Sequence, residues 1–295
     1  MRDRDENRRV GDRLDAARRP GPRPSGAGHP LLALGDGDVA AFLLAHPDDE
    51  SFFTGGTLAL LGAAGVTTVV VMATLGELGR PNDLALRAQL DGEAAVAAVR
   101  REELRRACDA LGVARHELLG GAGRFADSGH PARAGRDGLA ANVDAATEDL
   151  LALLVALRPR VLVSFGARGC TGHPDHVACH RMAVAAGIAL SRAGPGLRGL
   201  ALIADGNGSG PGGRPAAGRA LALDVTRFRA RKIAAVRCHR SQVGTAAQDL
   251  AALAGFDRAS AVTRYLPWVV DAADPHVERY VWLPADRLAA VRGGA

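Results

Sequence analysis

The chain has 295 residues, 47% of them hydrophobic, which is enough to bury a sizeable core in one large domain or two small ones. Its net charge of +5 comes from arginines scattered along the chain with few aromatic residues, a pattern that argues against nucleic-acid binding. No apolar run approaches the length of a membrane span, no apolar secretion signal opens the chain, and the four cysteines lack paired spacing. We therefore expect a cytoplasmic protein without disulfide bonds.

The first part of the chain differs in composition from the rest. Residues 1–37 are rich in Arg, Asp, Pro and Gly and contain little apolar surface to bury. This composition predicts a disordered leader without a function of its own. We expect a single domain over residues 38–292.

Four short apolar runs predict the strands of a sheet. Their apolar character is continuous, as in strands of a parallel sheet that is covered on both faces. The four runs are VAAFLLA (39–45), VTTVVVMA (66–73), RVLVSF (160–165) and LALIA (200–204).

Helical patterns lie between and after these runs. The predicted helices span residues 55–62, 92–112, 139–158, 174–190 and 224–239. Gly112 is a typical C-terminal cap, and Pro174 suits the first turn of a helix. The alternation predicts a doubly wound, Rossmann-like α/β fold with a mostly parallel sheet and helices on both faces. Residues 123–138 and 205–218 are predicted loops, either linkers or covers for a bound ligand.

Two polar clusters follow two of the predicted strands. HPDDE (46–50) comes after the first strand, and GHPDH (172–176) comes shortly after the third. Ligands of doubly wound folds bind outside the carboxyl ends of the strands, so the clusters are expected to meet there. Imidazoles and carboxylates are zinc ligands, and a hydrolytic zinc site keeps three of them with one position open. The candidates are His46, Asp48, Asp49, Glu50, His173, Asp175, His176 and His180.

Spacing alone does not assign the roles within the clusters. In an extended chain His46 and Asp48 point the same way, whereas a turn after Pro47 would bring His46 and Asp49 together. On a helix, His173 and His176 roughly share a face. A carboxylate that is not a ligand could act as the general base of a hydrolysis.

The two motifs resemble those of the LmbE/PIG-L family of metal-dependent de-N-acetylases. The resemblance covers nearly all of residues 39–245, including TLGE (74–77), VRREELRRACDALGV (99–113) and KIAAVRCHRSQV (232–243). Within the family, LGGAGRFADSG (119–129) is similar to the mycothiol-pathway enzymes that deacetylate N-acetylglucosaminyl-inositol. The resemblance implies a zinc-dependent hydrolase, with Fe²⁺ as an alternative metal, that releases acetate from an N-acetylglucosamine-type sugar.

The resemblance also implies roles for single residues. His46, Asp49 and His176 would bind one metal ion, and Asp48 would be the general base. His173 would stabilise the oxyanion and protonate the leaving amine, with Asp175 setting its tautomer. Glu50 would be structural, at the start of the next helix.

Three more residues are predicted to contact the sugar. These are Arg100, Asp127 and Gln242, each with a surface ion pair or a loop cap as the alternative. Two positions depart from the mycothiol branch, because Thr171 stands where a tyrosine is expected and Arg80 where an acidic residue is expected. These departures leave a secondary-metabolite glycoside open as the substrate.

Other interpretations remain for several residues and for the function. His180 is predicted to pack on its helix, His239 either to line the pocket or to pack, and Cys170 to be a loop residue rather than a reactive thiol. The alternative functions are a non-catalytic metal- or carbohydrate-binding module, an amidase acting on a sugar-linked thiol conjugate, and a metallophosphatase. The expected partners are a small amino sugar and further copies of the chain, with neither nucleic acid nor a membrane.

Overall fold

The computed structural model of the chain describes residues 28–129, 138–205, 218–243 and 276–288, and every structural statement concerns these residues. Residues 1–27 of the predicted leader lie outside them, as do residues 130–137 and 206–217 of the predicted loops 123–138 and 205–218. Within the described residues before the first strand, Leu31 and Leu34 are buried in the hydrophobic core. This short stretch therefore packs on the folded domain.

The centre of the described fold is a seven-stranded sheet with the order β3-β2-β1-β4-β5-β7-β6. The first five strands of this order run parallel, and β7 is antiparallel to both β5 and β6. The mostly parallel sheet predicted from the sequence is thus confirmed. The strands are β1 (Val39–Leu44), β2 (Thr67–Met72), β3 (Arg115–Leu118), β4 (Val161–Phe165), β5 (Gly199–Ile203), β6 (Arg219–Asp224) and β7 (Val277–Pro284).

The apolar pattern missed three of these strands, β7 and the two edge strands β3 and β6. Strand β3 has the sequence RHEL and lies at one edge of the sheet, where its first two residues are exposed. Strand β6 lies at the other edge and alternates exposed and buried residues over its second half. An edge strand needs little continuous apolar sequence, and this explains why neither run was recognised.

The helices form two packed groups. In one, α2, α4 and α8 contact one another, and in the other α7 contacts both α5 and α10. The helices are α1 (Asp49–Phe52), α2 (Gly55–Ala63), α3 (Leu84–Gln89), α4 (Gly92–Leu111), α5 (Val143–Leu157), α6 (Gly169–Gly172), α7 (Pro174–Ala193), α8 (Arg229–Cys238), α9 (Arg240–Val243) and α10 (Ala285–Leu288).

The order of the sheet explains the two groups. From β1 the chain crosses through α2 to β2 on one side, and from β4 it crosses through α7 to β5 on the other side. Right-handed crossovers in opposite directions put their helices on opposite faces of the sheet. The direction in which successive strands are added to the sheet therefore reverses between β1 and β4. In doubly wound folds, ligands bind in a crevice at this point.

Local signals set the helix ends. Gly112 ends α4 in the left-handed conformation, with φ of 74°, as predicted. Pro174 occupies the first turn of α7, also as predicted. The predicted helices 139–158 and 224–239 each begin with a separate 3₁₀ turn, Leu139–Ala141 and Thr226–Phe228.

Two further expectations concern the same described residues. Cys108, Cys170, Cys179 and Cys238 are all free thiols, in agreement with the prediction of no disulfide bonds. None of the described helices is both long enough and apolar enough to cross a membrane.

One buried carboxylate ties the late strand β7 to the early helix α2. Glu278 accepts hydrogen bonds from the backbone N–H groups of Gly56 and Thr57, each at 2.8 Å, in the first turn of α2. It also pairs with the Nζ atom of Lys232 at 2.7 Å, and both side chains are 1% exposed. A buried ion pair of this kind stabilises little overall, but removing one partner leaves the other charge in the core.

We predict that Glu278→Ala destabilises the protein by about 3–5 kcal/mol, because it removes the carboxylate that neutralises Lys232 and caps α2. Urea unfolding followed by circular dichroism would measure the loss. Glu102→Ala, at an exposed site on α4, is the matched control and should unfold like the wild type. A Glu278→Ala variant as stable as this control would contradict the prediction.

Candidate metal centre and active site

The first cluster turns sharply where β1 ends. The backbone N–H of Asp49 donates to the carbonyl of His46 at 3.1 Å, and the Asp49 carboxylate accepts from the N–H groups of Ala45 and His46. Asp49 Oδ2 lies 3.8 Å from His46 Nδ1 as a result. The sequence left two arrangements open, and the structure has the turn that joins His46 with Asp49.

Asp48 lies at the apex of this turn in a strained conformation. Its φ is 133°, a value that non-glycine residues rarely adopt and that costs on the order of 1–3 kcal/mol. The backbone N–H of Asp48 donates to Glu50 Oε2 at 3.0 Å, and this bond helps to hold the turn. Strain of this kind is found mainly where a side chain must be aimed at a site.

Glu50 belongs to a buried network behind the turn. Its Oε1 atom lies 2.6 Å from His239 Nε2 and accepts a bond from the Ser51 hydroxyl at 2.6 Å. Both Glu50 and His239 are fully buried. The contacts agree with the structural role predicted for Glu50, and they place His239 under the turn rather than at a pocket surface.

The second cluster begins α7 beside the end of β4. His176 Nε2 lies 3.3 Å from His46 Nδ1 and 3.4 Å from Asp49 Oδ1. Its ring stacks on Phe165, the last residue of β4, with centroids 4.0 Å apart and planes inclined by 14°. The predicted meeting of the two clusters therefore occurs at the switch between β1 and β4.

His46 Nδ1 and His176 Nε2 have the spacing of two ligands of one tetrahedral zinc ion. Metal–ligand distances of about 2.0–2.1 Å put neighbouring ligand atoms about 3.3 Å apart in a tetrahedron, and the two nitrogens are 3.3 Å apart. The Asp49 carboxylate faces both rings through different oxygens, with Oδ1 3.4 Å from His176 Nε2 and Oδ2 3.8 Å from His46 Nδ1.

Hydrogen bonds on the far side of each ring orient the two imidazoles towards each other. His176 Nδ1 lies 2.9 Å from the carbonyl of Gly169, which can only accept, so the proton is on Nδ1 and Nε2 is free. His46 Nε2 lies 3.1 Å from Asp175 Oδ2 and donates to that carboxylate, so that Nδ1 faces His176. Zinc-binding histidines usually donate their second N–H in this way.

Among the described residues, two groups have ligand atoms that are all close enough together to hold an ion. The first consists of His46, His173 and His176, and the second of His46, Asp127, His173 and Asp175. We favour the set with Asp49 and His176, because in the second group Asp175 already accepts from His46 and from the N–H of Ser128 at 3.0 Å.

Asp175 thereby differs from its expected role. Its carboxylate contacts His46 and Ser128, whereas we expected it to set the tautomer of His173. It is the backbone N–H of Asp175 that reaches His173, donating to Nδ1 at 3.2 Å. The ring of His173 caps α7, and helix geometry directs this N–H to the cap residue while the Asp175 carboxylate lies elsewhere.

Burial shifts the pKa values of Asp48 and Asp49 upward. Burial raises the pKa of Asp48 to about 7, against the opposing effect of Arg100, and raises the pKa of Asp49 to about 6. The pKa of Asp127 is lowered instead, because bonding to His46 outweighs its burial. Carboxylates crowded in a low-dielectric site favour a bound cation, which would stabilise their ionised forms.

The imidazoles respond to the same surroundings. Burial and neighbouring His46 lower the pKa of His176 to about 3 and that of His173 to about 4. Both rings are therefore neutral, as a ligand or a hydrogen-bond donor near neutral pH requires. For His46, hydrogen bonds to Asp127 and Asp175 outweigh burial and raise the pKa well above its usual value. A metal ion at Nδ1 would compete with that proton.

The predicted sugar-binding residues have different surroundings. Arg100 is 3% exposed and donates to the carbonyls of Gly76 and Pro47 at 2.8 and 2.6 Å, with Asp48 Oδ2 3.4 Å away. Arg100 thus supports the Asp48 turn. Its contacts agree better with the predicted alternative of an ion pair than with a direct contact to the sugar.

Asp127 and Gln242 also lie in different places. Asp127 Oδ1 lies 3.6 Å from His46 Nε2 and 4.0 Å from His173 Nε2, at the edge of the proposed metal centre. Gln242 bonds to the Ser241 hydroxyl at 3.1 Å, and its carbonyl accepts from Asn82. The described contacts bring Asp127 to the cluster and leave Gln242 beside α3.

The remaining predicted positions lie in ordinary surroundings. His180 Nδ1 lies 3.0 Å from the carbonyl of Phe165, in agreement with a packing role. Burial raises the pKa of the Cys170 thiol, which makes it a poor nucleophile. Thr171 donates to Gly169 and accepts from the N–H of His173 within its turn, and Arg80 is exposed.

Comparison with known proteins identifies the family. The family model described as PIG-L, GlcNAc-PI de-N-acetylase, matches residues 41–187. A 1D-myo-inositol 2-acetamido-2-deoxy-alpha-D-glucopyranoside deacetylase of Actinosynnema mirum is 39% identical over 227 residues, covering 68% of this chain and 78% of the relative. The chain belongs to the PIG-L family. It is therefore an enzyme of the de-N-acetylase type.

Further relatives agree with this membership. The enzyme of the same description from Acidothermus cellulolyticus is 36% identical over 231 residues, with 68% of this chain and 77% of the relative covered. Among solved structures, the N,N'-diacetylchitobiose deacetylase of Pyrococcus horikoshii matches with a TM-score of 0.56 at 20% identity, covering 84% and 85% of the two chains. The zinc-inhibited form of a teicoplanin deacetylase has a TM-score of 0.53 at 20% identity, with 83% and 99% covered. Both structures support the fold.

We predict that the PIG-L chain binds one zinc ion and that His176→Ala weakens binding more than 100-fold, because the variant removes one of three ligands. Competition with a chromogenic chelator would measure the dissociation constant. His180→Ala, one turn further along α7, is the matched control and should bind like the wild type. Equal zinc affinity of the two variants would show that His176 is not a ligand.

Proposed function

We propose that the protein is a zinc-dependent deacetylase that hydrolyses the N-acetyl group of an N-acetylglucosaminyl-inositol-type sugar and releases acetate. The observation that carries the proposal is the meeting of His46 Nδ1, His176 Nε2 and the Asp49 carboxylate, next to the turn in which Arg100 contacts the Asp48 carboxylate. The names of the relatives that are 39% and 36% identical support the sugar.

His46, Asp49 and His176 would hold the metal ion. When bound, zinc polarises the amide carbonyl and makes water a better nucleophile near neutral pH. The second N–H of each histidine is already engaged, by Asp175 in one case and by Gly169 in the other. The chain therefore holds both imidazoles in fixed orientations, with Nδ1 of His46 and Nε2 of His176 turned towards the proposed metal position.

Asp48 is the proposed general base. Its turn is held from both sides, by Arg100 on the Pro47 carbonyl at 2.6 Å and by Glu50 on the Asp48 N–H at 3.0 Å. A carboxylate held this way can take a proton from the attacking water without first changing conformation. Once protonated, Asp48 is the group that passes the proton to the leaving amine.

His173 is the proposed donor to the oxyanion. Because the N–H of Asp175 donates to His173 Nδ1, that atom carries no proton, and the neutral ring has its proton on Nε2. His173 Nε2 lies on the side of Asp127, and its ring centroid is 4.5 Å from that of His46. We expected a protonated His173 that donates to the amine, and the cap geometry favours a neutral ring that donates one hydrogen bond.

Several finer expectations remain predictions. They are the choice of zinc over Fe²⁺, the cytoplasmic location, and assembly into a homo-oligomer. A secondary-metabolite glycoside and a sugar-linked thiol conjugate remain the alternative substrates.

We predict that Asp48→Asn keeps zinc affinity but lowers turnover about 10²–10⁴-fold, because the amide cannot accept a proton from water. Acetate release from N-acetylglucosaminyl-inositol and zinc content would be measured on the same preparation. Asp109→Asn, at an exposed position paired with Arg105 on α4, is the control. Wild-type turnover in Asp48→Asn, or activity after complete metal removal, would refute the mechanism.

We predict that kcat/KM is highest for N-acetylglucosaminyl-inositol within a panel of N-acetylated amino sugars. The panel would include free N-acetylglucosamine, an N-acylated glycopeptide sugar and a thiol conjugate, scored by liberated acetate or amine. Binding energy from the inositol ring should add to transition-state stabilisation at the amide. A clear preference for another member would replace the proposed substrate while leaving the chemistry in place.

A further inference from the structure

The turn between β4 and α7 is organised around the carboxylate of Asp205. Asp205 Oδ2 accepts a hydrogen bond from the N–H of Arg168 at 3.0 Å, and Oδ1 accepts from the N–H of Cys170 at 2.8 Å. Both oxygens are thus engaged by backbone groups on either side of Gly169. Asp205 follows β5, the neighbour of β4, so it reaches the turn from the adjacent strand end.

Two glycines make this arrangement sterically feasible. A Cβ atom on Gly166 would lie 2.7 Å from Asp205 Oδ2, so only glycine leaves room for the carboxylate. Gly169 has φ of 63°, and a Cβ atom there would lie 2.6 Å from the Cβ of His176. The turn and the first helical turns of α7 therefore fit closely against each other.

The turn also contains a strained residue. Cys170 has φ of 59°, in the left-handed region that non-glycine residues seldom occupy. The bond from its N–H to Asp205 helps to offset this conformational cost. Without the carboxylate, we expect the peptide at 169–170 to relax to another orientation.

The carbonyl of Gly169 is the group through which the turn reaches the proposed metal centre. It accepts the Nδ1 proton of His176 at 2.9 Å and so leaves Nε2 free to face Asp49. The direction of this carbonyl depends on the two peptides that Asp205 holds. The hydrogen bonds of the Asp205 carboxylate to the turn therefore influence the tautomer and the orientation of the His176 ring.

We propose that Asp205 is a positioning residue for the metal ligand His176, acting through the turn at 168–170. The inference rests on the metal site proposed above and adds to it a residue outside both sequence motifs. Asp205 is not itself a ligand, since both of its oxygens accept backbone N–H groups. Its effect is on the affinity and geometry of the metal centre.

The test compares Asp205→Ala and Asp205→Asn with Asp224→Asn. Asp224 is the matched control, because it accepts the N–H of Thr226 at 2.9 Å in a turn after β6 and has no described contact with the metal centre. Zinc dissociation constants would be measured by chelator competition. Visible absorption of the Co²⁺-substituted proteins would report coordination geometry.

We expect Asp205→Ala to weaken zinc binding about 10–100-fold and to alter the Co²⁺ spectrum. Asp205→Asn, which keeps one acceptor oxygen, should fall between it and the wild type, and Asp224→Asn should match the wild type. If Asp205→Ala does not fold, the Asn variant carries the same test.

Wild-type affinity and an unchanged Co²⁺ spectrum in the folded Asp205 variants would overturn the positioning role. A wild-type chain that binds no zinc would overturn the metal site itself, and this outcome is distinguishable from the first.

Discussion

The arrangement depends on two imidazole nitrogens that face each other at the end of the sheet. His46 Nδ1 and His176 Nε2 lie 3.3 Å apart, and the Asp49 carboxylate lies beside both rings. Two ring nitrogens at that distance need either a proton or a metal cation between them, and the raised pKa of His46 indicates that a proton takes this place when no metal is bound. A metal ion at this position would displace the proton, so metal binding is expected to depend on pH.

The sheet order explains why residues 130 positions apart in sequence can meet with such geometry. His46 follows β1 and His176 follows the turn after β4, and these strands are neighbours at the point where the order reverses. Crossovers leave this point in opposite directions, which opens a crevice there in doubly wound folds. Each cluster is nevertheless held firmly, one by the strained Asp48 turn and the other by Phe165 and Gly169.

Much of the fold followed from the sequence because buried strands carry continuous apolar runs. All four predicted strands of the parallel part and all five predicted helices occur in the structure, with small shifts at their ends. The edge strands β3 and β6 were missed, since a strand with one partner and partial exposure need not be apolar. The two motifs identified the site, and resemblance to a family was required to choose Asp49 over Asp48 as the ligand.

The contacts that could not be predicted are those made by backbone groups. The carbonyl of Gly169 and the N–H of Asp175 set the tautomers of His176 and His173, and neither group has a signature in the sequence. The same holds for Asp205, whose importance becomes visible only when the turn at 168–170 is seen to close on it. A helix cap or a turn acceptor depends on where the chain has already folded, so residue type alone does not reveal it.

Charge balance links the site to the stability of the whole domain. Asp48, Asp49, Asp127 and Asp175 are all buried, and a guanidinium nitrogen of Arg100 lies 3.4 Å from Asp48 Oδ2. Burial raises the pKa values of Asp48 and Asp49, which means that the folded state destabilises their ionised forms. A divalent cation bound only by the folded state offsets that cost and shifts the unfolding equilibrium towards the native fold. Because its ligands come from the ends of β1 and β4, the ion would join the two halves of the sheet at the point where the crossovers diverge. We therefore expect the metal ion to stabilise the folded state in addition to taking part in the reaction.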